Sequence, residues 1–541
     1  MRQLVIHEIL QDAAQLFPKR EIVSGDVRLT YADMYERVLR LANRLDQMGV
    51  KPGTVVGVLD VNTHRYLELH YALSMLGAIL HTINFRLPPQ DIIYTVQHAK
   101  DEWIWISEPF AKLHASIRPY VKHLVWLADE TEVANGTLKE FYQEKDLIYE
   151  TLIHDGQALL PETVETITEQ SPYSIFYTTG TTGKPKGIRY RHRDMVLSPL
   201  QILHHLSLHP GGAHIDRRDT FMPLIPFFHI HAWGTAVFVP YLGAKLVLPG
   251  KSTPAEQLAL IRKEEVSWSN MVPTQLSMLL DLLAPGETLS LKVLTGGSPL
   301  SKGLARRSAE RGIQFSLIYG GSDQLGTGIS VIPEHMALND PDALEILATR
   351  TRPLPMVNIE MRSKEGHLVP WDGQTIGEIW VSSPWLPDGY LNQPDESAYF
   401  YRDGRFRSGD LGVRYPDGSI YVVDRERDAV KSGGEWIPTG VLESILSEHP
   451  GVKAAVVLAR PDEKWGERPL AIIVPVSSDP RNPNDQQDLE KTLRAYLKAL
   501  TEQGRLSSYW VPDTFVFLEE LPTTSAGKIH KTALRQQLGL S

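Results

Sequence analysis

The sequence predicts an α/β protein in two unequal parts, a large N-terminal body with a small β region at its end and a smaller α+β domain after it. Three observations predict this. The chain, at 541 residues, exceeds one ordinary hydrophobic core. Strand-like and helix-like apolar periods alternate through its first half, as they do when crossover helices link parallel strands. From about residue 354 to 425 the texture changes to short alternating segments punctuated by Asp-Gly pairs.

The N-terminal stretch from Met1 to Arg20 has the spacing of a short amphipathic helix and lacks the apolar core and small-residue cleavage site of a signal peptide. Thr30, with Asp33 three residues on, forms a capping-box pattern, and Met34, Val38, Leu41 and Leu45 follow at helical spacing until Gly49. Val55 to Leu59 reads as a short strand, Leu67 to Leu76 as a helix, and Ala78-Ile79-Leu80 opens the next apolar run. The alternation resumes from about residue 170 to 340, beginning with the strand Ile175-Phe176-Tyr177. Val357 to Met361 and Ile379 to Val381 are strand-like, and Asp372-Gly373, Asp403-Gly404 and Asp417-Gly418 mark turns between such segments. Beyond Arg425, strands at Ala454 to Leu458 and Phe515 to Leu518 flank a helix carrying Leu489, Leu493, Tyr496, Leu497 and Leu500 that stops at Gly504. That tail suffices for a compact unit of about 110 residues.

Composition narrows the function. The formal charge of −10 leaves no basic excess to neutralise a nucleic-acid backbone, so anions must be bound locally. The chain contains no cysteine, which excludes thiol nucleophiles, disulfides and cysteine metal sites. No apolar run approaches the ~20 residues that span a bilayer, so a cytoplasmic enzyme with at most peripheral membrane contact is expected.

The chemistry gathers around Tyr177-Thr178-Thr179-Gly180-Thr181-Thr182-Gly183-Lys184-Pro185-Lys186-Gly187. Three glycines, four threonines and two lysines in eleven residues put N–H groups, hydroxyls and ammonium groups within reach of one polyanion. A Walker loop requires Gly-Lys followed by Ser or Thr; here Pro185 follows Lys184, and Thr178 stands where that motif needs a glycine. The string instead closely resembles the phosphate loop of the acyl-adenylate-forming family, and within that family the Phe-His-x-x-Ala-Trp-Gly pattern of residues 228–234 looks most like bacterial medium- and long-chain fatty acyl-CoA synthetases.

Further strings resemble that family in the same order. Phe227-Phe228-His229-Ile230-His231-Ala232-Trp233-Gly234 could be aromatic core, or two histidines with metal spacing but no third ligand. The resemblance makes it the lining of the carboxylate pocket, with His229 in a catalytic and substrate-binding role and Trp233 near an acyl-tunnel entrance. Amino-acid-activating relatives carry Asp where this chain has His229, and a buried, unpaired substrate ammonium is costly, so an amino acid is a poor candidate. Thr295-Gly296-Gly297-Ser298 resembles the adenine-side turn. Ile318-Tyr319-Gly320-Gly321-Ser322-Asp323 resembles the segment whose Tyr stacks on adenine, with Gly321 on the substrate side. Ser322 and Asp323 stand where relatives have Thr and Glu. Oxygen donors for Mg²⁺ are retained, with Thr181 and Asp323 as the metal-side residues, although Asp is one methylene shorter.

By the same resemblance, Asp410 in Arg407-Ser408-Gly409-Asp410-Leu411 and Arg425 hold the ribose, and Arg427 is a hinge. Lys431 and Trp436 lie near the nucleotide, Gly433-Gly434 lines the pantetheine path, and Lys528 in Thr523-Thr524-Ser525-Ala526-Gly527-Lys528-Ile529 bridges carboxylate and α-phosphate. The implied organisation is an N-terminal adenylate-forming domain of residues 1–426, its β region a small barrel, and a mobile domain of residues 427–541. The implied reaction is ATP-dependent, Mg²⁺-assisted activation of a fatty acid and its transfer to CoA, in a possible homodimer. The alternatives are an aryl or short-chain acid, transfer to a carrier-protein pantetheine, and a catalytically impaired binding protein.

Overall fold

The computed structural model describes residues 2–540 except 179–183, 334–335, 337–339, 427, 433–434, 477–481, 504 and 524–528, with only the backbone of Pro341, Glu435 and Trp436. The described strands form sheets of seven, fourteen and five.

The seven-stranded sheet takes Leu147–Ile148, His123–Trp126, Trp103–Ile106, Val55–Leu59, Ile79–Thr82 and Pro172–Tyr177 in parallel, and closes with Gly187–Arg191 antiparallel to the last. Trp103–Ile106 and Ile79–Thr82 are buried along their whole length; the first is a continuous apolar run, and in the second the buried His81 is paired with Asp101 at 2.8 Å.

The largest sheet has a parallel centre, Lys245–Leu248, Thr220–Pro223, Trp268–Met271, Lys292–Gly296 and Gln314–Gly321. It then reverses through Leu325–Ile329 into an antiparallel region of Arg350–Pro353, Ile420–Arg425, Arg405–Arg414, Gly377–Ser382 and Asn358–Arg362. This is the β texture read from the Asp-Gly turns. Gly373, Gly404 and Gly418 all take positive φ there.

Helices Ile6–Leu16, Tyr31–Gln47, His64–Met75, His192–Leu208 and Thr235–Leu242 contribute to one apolar cluster with strands of both large sheets. The Thr30–Asp33 capping box forms as expected, and Met34, Val38, Leu41 and Leu45 are fully buried on the inner stripe. His64–Met75 is buried on every face, so its sequence carries little amphipathic signal. Tyrosine hydroxyls fasten the helices from within: Tyr31 donates to the Ala244 carbonyl at 2.7 Å and Tyr71 to that of Ala236 at 2.5 Å.

The C-terminal sheet runs Glu435–Ile437, Val430–Ser432, Gly466–Pro475 and Val452–Asp462, with Thr514–Phe517 parallel to Gly466–Pro475. Leu442, Leu446, Leu493, Leu497 and Leu500 from helices Thr439–Ser447 and Pro483–Glu502 pack on it. Helix Thr439–Ser447 also reaches the N-terminal body, where Gly303 permits close approach: a Cβ there would lie 2.6 Å from the Ser447 carbonyl oxygen.

Candidate active site

Among the described site residues, Thr178, Gly296 and Ile318 lie at or just beyond the ends of the parallel strand pairing, the usual place for ligands in α/β folds. The phosphate loop leaves the strand Pro172–Tyr177 and returns on Gly187–Arg191. Its neck is closed by pairing of Tyr177 with Gly187 and by the Thr178 N–H donating to the Lys186 carbonyl at 2.9 Å. A Cβ on Gly187 would stand 2.9 Å from the Tyr177 ring, so only glycine fits beside it. The Tyr177 hydroxyl lies 2.8 Å from Nδ1 of His98, which anchors the neck to helix Pro89–Ala99. Lys184 lies over the Tyr94 ring of that helix at 4.6 Å. Lys186 pairs with Glu396 and sits 5.0 Å over the Tyr390 ring. Thr179, Gly180, Thr181, Thr182 and Gly183 lie outside the described residues.

On the adenine side, Gly296 and Ile318 are register partners at the ends of adjacent parallel strands. A Cβ on Gly296 would lie 2.4 Å from the Ile318 carbonyl oxygen. The chain then turns through Gly297 at φ +80°, with Ser298 half-buried. A bulge between Tyr319 and Gly320 re-aims the next strand, and a Cβ on Gly320 would lie 2.2 Å from the Leu325 carbonyl oxygen. Gly321 is open by comparison. Ser322 accepts the Tyr190 hydroxyl on its carbonyl at 2.7 Å.

Asp410 and Arg425 are cross-strand partners in the β region, and Asp410 meets Tyr319. The Tyr319 hydroxyl donates to Oδ2 of Asp410 at 2.8 Å, and Arg425 Nε lies 3.3 Å from Oδ1. The Asp410 charge raises the Arg425 pKa, so this guanidinium stays protonated. Three residues spread from position 319 to position 425 thus share one corner.

Asp323 lies on the same rim. Burial raises its pKa, while the Tyr390 hydroxyl, donating to Oδ1 at 2.6 Å, and the charges of Arg425 and Lys186 oppose the shift. Tyr401 donates to its backbone carbonyl at 2.8 Å. A carboxylate held this way has the hard oxygen donors that suit Mg²⁺. Among the described residues there is no ready-made cluster of three or more His, Cys, Asp or Glu, so the nucleotide itself would complete the metal's shell. Tyr390 and Glu396 were not singled out in the sequence, and no local spacing marks them; their role comes from tertiary contact.

The pocket string forms a tight turn. His231 and Ala232 are buried, whereas His229, Ile230 and Trp233 remain partly exposed. His231 Nε2 lies 3.0 Å from the Ser174 hydroxyl, and burial lowers its pKa to about 3, so the ring is neutral.

Beyond Arg425 the chain crosses into the C-terminal unit. Arg427, Gly433, Gly434 and Lys528 lie outside the described residues. Their flanks are ordered by specific contacts. Asp424 accepts the backbone N–H and the hydroxyl of Thr439 at 2.6 and 2.7 Å, and burial pushes its pKa up to about 6. Lys531, three residues past Lys528, donates to the Thr439 hydroxyl and pairs with Glu443, both at 2.8 Å. Thr523 and Ile529 bridge across the segment between them. The exposed Lys431 is fixed through its backbone N–H, which donates to Glu467 at 2.7 Å.

This architecture is that of an adenylate-forming ligase. A solved anthranilate CoA ligase in complex with anthranoyl-AMP superposes with a TM-score of 0.84 over 99% of this chain and 98% of that one, at 22% identity, a likeness of fold. Residues 10–391 match the AMP-binding enzyme family and residues 441–528 its C-terminal domain, so the chain belongs to the AMP-binding enzyme family. It is 36% identical to a long-chain-fatty-acid–CoA ligase of Thermus thermophilus, over 99% of this chain and 96% of the relative. It is 32% identical, with the same coverage, to a medium-chain-fatty-acid–CoA ligase of Ectopseudomonas oleovorans. The chain is an adenylate-forming CoA ligase using ATP, CoA and Mg²⁺. Among the described residues no helix is long and apolar enough to cross a membrane.

Proposed function

We propose that this ligase activates a medium- or long-chain fatty acid, and that the residues assembled above carry the reaction in the roles expected from the sequence. The observation that carries the reading is the pocket turn. It offers the partly exposed Ile230, Trp233 and His229, with a histidine where an ammonium-binding carboxylate would be needed for an amino acid. The fatty-acid activities of the two relatives support the same substrate class.

A carboxylate is a poor electrophile because its leaving group would be oxide. One carboxylate oxygen attacks the α-phosphorus of ATP, forming the acyl-adenylate and expelling pyrophosphate. Asp410 and Arg425 hold the ribose, Tyr319 faces the base, and Lys184 and Lys186 lie at the mouth of the loop that receives the outer phosphates. Asp323, with the nucleotide, would hold Mg²⁺, which when bound would supply further positive charge against the triphosphate. Lys528 supplies positive charge as the displacement proceeds. The CoA sulfur then attacks the acyl carbonyl, AMP departs with the shared oxygen, and the thiol proton is lost to solvent.

The two half-reactions need different groups beside the acyl carbonyl, first an ammonium and then a thiol, so the unit after residue 426 turns about Arg427 between them.

Pyrophosphate release measured across straight-chain acids of increasing length, with and without CoA, tests the assignment. An optimum among medium or long chains supports it. A preference for benzoate or anthranilate, the class bound by the structural neighbour, would replace it with the aryl reading.

A further inference from the structure

Residues 230–234 do what four non-glycine residues almost never do together. Ile230, His231, Ala232 and Trp233 have φ of 51°, 48°, 54° and 54°, and Gly234 follows at 84°. With ψ of 51° and 49° at His231 and Ala232, this is a turn of left-handed α-helix. Its backbone bonds confirm the winding: His231 N–H donates to the Phe227 carbonyl at 2.9 Å, Trp233 to that of His229 at 3.1 Å, and Gly234 to that of Ile230 at 3.0 Å. Each non-glycine residue in this region is disfavoured, a β-branched isoleucine most of all, so such a run persists only where its surroundings over-determine it.

The surroundings are two buried asparagines. Asn270, on the strand Trp268–Met271, donates Nδ2 to the Ala232 carbonyl at 2.8 Å and accepts the Ile225 N–H on Oδ1 at 3.2 Å. Asn62 donates to the Ile225 carbonyl at 2.9 Å and accepts the Phe227 N–H at 2.8 Å. Asn62 therefore fixes the approach to the turn, and Asn270 grips its middle. The Thr235 hydroxyl is a second donor to the Ala232 carbonyl, at 3.0 Å. The handedness decides which residues face outward: His231 and Ala232 go into the core while His229, Ile230 and Trp233 stay at the pocket.

We propose that Asn270 is a positioning residue for the acid pocket, holding residues 230–234 left-handed so that Ile230 and Trp233 present the apolar wall against which the acyl chain lies. This rests on the reading of the turn as the acid pocket. The nucleotide corner does not depend on the Asn270 side chain, because the neighbouring strand Lys292–Gly296 is attached through backbone pairing. Loss of the grip therefore separates acid recognition from nucleotide recognition.

The test is Asn270→Asp, isosteric but unable to donate to the carbonyl, assayed by pyrophosphate release with the preferred acid. The KM for the acid rises about tenfold or more while the KM for ATP moves less than about twofold. Adding Ala232→Gly, which lets the central residue adopt positive φ freely, recovers most of the lost acid affinity. If Asn270→Asp does not fold, Thr235→Val removes only the second donor and gives the same split at about threefold. Equal rises in both KM values, an unchanged acid KM, or no recovery on adding Ala232→Gly would overturn the proposal. Failure of the unmodified protein to release pyrophosphate with any acid would instead strike at the substrate reading itself.

Discussion

The Tyr319 hydroxyl donates to Oδ2 of Asp410 at 2.8 Å, joining the end of a central strand in the α/β body to the β region that carries Arg425. The ring proposed to face adenine and the carboxylate proposed to hold the ribose are thereby joined directly. Asp410→Asn, which removes the charge but keeps the shape, is expected to lower kcat/KM for ATP by roughly 10- to 100-fold, the worth of a hydrogen bond to a charged group. Tyr319→Phe gives a smaller loss of about tenfold or less. In both variants the acid KM stays near its original value, and steady-state kinetics with each substrate varied in turn checks this.

The roles proposed for Lys528 and Arg427 predict that variants at these positions separate the half-reactions. Lys528→Ala lowers carboxylate-dependent ATP–pyrophosphate exchange by ~100-fold or more, yet leaves thioester formation from supplied acyl-adenylate within about twofold. Arg427→Pro gives the opposite pattern. Equal loss of both halves in either variant counts against the domain rotation.

Lys531, three residues past Lys528, donates to the Thr439 hydroxyl, and Thr439 in turn binds Asp424, next to the Arg425 proposed to hold the ribose. Lys531→Met breaks that chain of contacts and slows adenylation more than it slows thioester formation. Isolated rate measurements on the two half-reactions read the difference.

Tyr390→Phe removes a donor that favours the charged form of Asp323, so its pKa, already raised by burial, rises further. The acid limb of the pH–rate profile for pyrophosphate release moves upward. An unmoved acid limb with unchanged Mg²⁺ dependence would detach Asp323 from the metal role.

His7, His64, His192, His205 and His231 are buried, and burial lowers their pKa to about 4, 3, 3, 4 and 3. An unfolded histidine takes up its proton near pH 6.5, so the unfolded state binds more protons in acid. The stability these rings allow is fully present above pH 6.5 and is lost as pH falls through the folded values, by roughly 2 kcal/mol per ring at pH 5. Thermal melting should therefore drop steeply between pH 7 and 5, and His192→Gln should flatten the slope. A melting temperature constant across that window contradicts the assignment of neutral buried rings.

Much of the fold was legible because its signals are local. The Thr30–Asp33 cap, the Met34 to Leu45 stripe and the Asp-Gly turns each depend on residues within a few positions of one another. The motif strings were legible for the same reason, and Tyr319, Asp410 and Arg425 do come together. What stayed hidden is tertiary. No spacing announces that Tyr390 binds Asp323, or that Asn270 grips Ala232 from another strand. The left-handed turn at Ile230 to Trp233 runs against local propensity and exists because distant donors enforce it.

The most direct test follows the fate of one oxygen. A fatty acid labelled with heavy oxygen in its carboxylate is incubated with the protein, MgATP and CoA, and the products are read by mass spectrometry. Label recovered in AMP, with none in pyrophosphate, is the outcome expected if the carboxylate attacks the α-phosphorus. Label in inorganic phosphate alongside ADP would show attack at the terminal phosphorus and contradict the account.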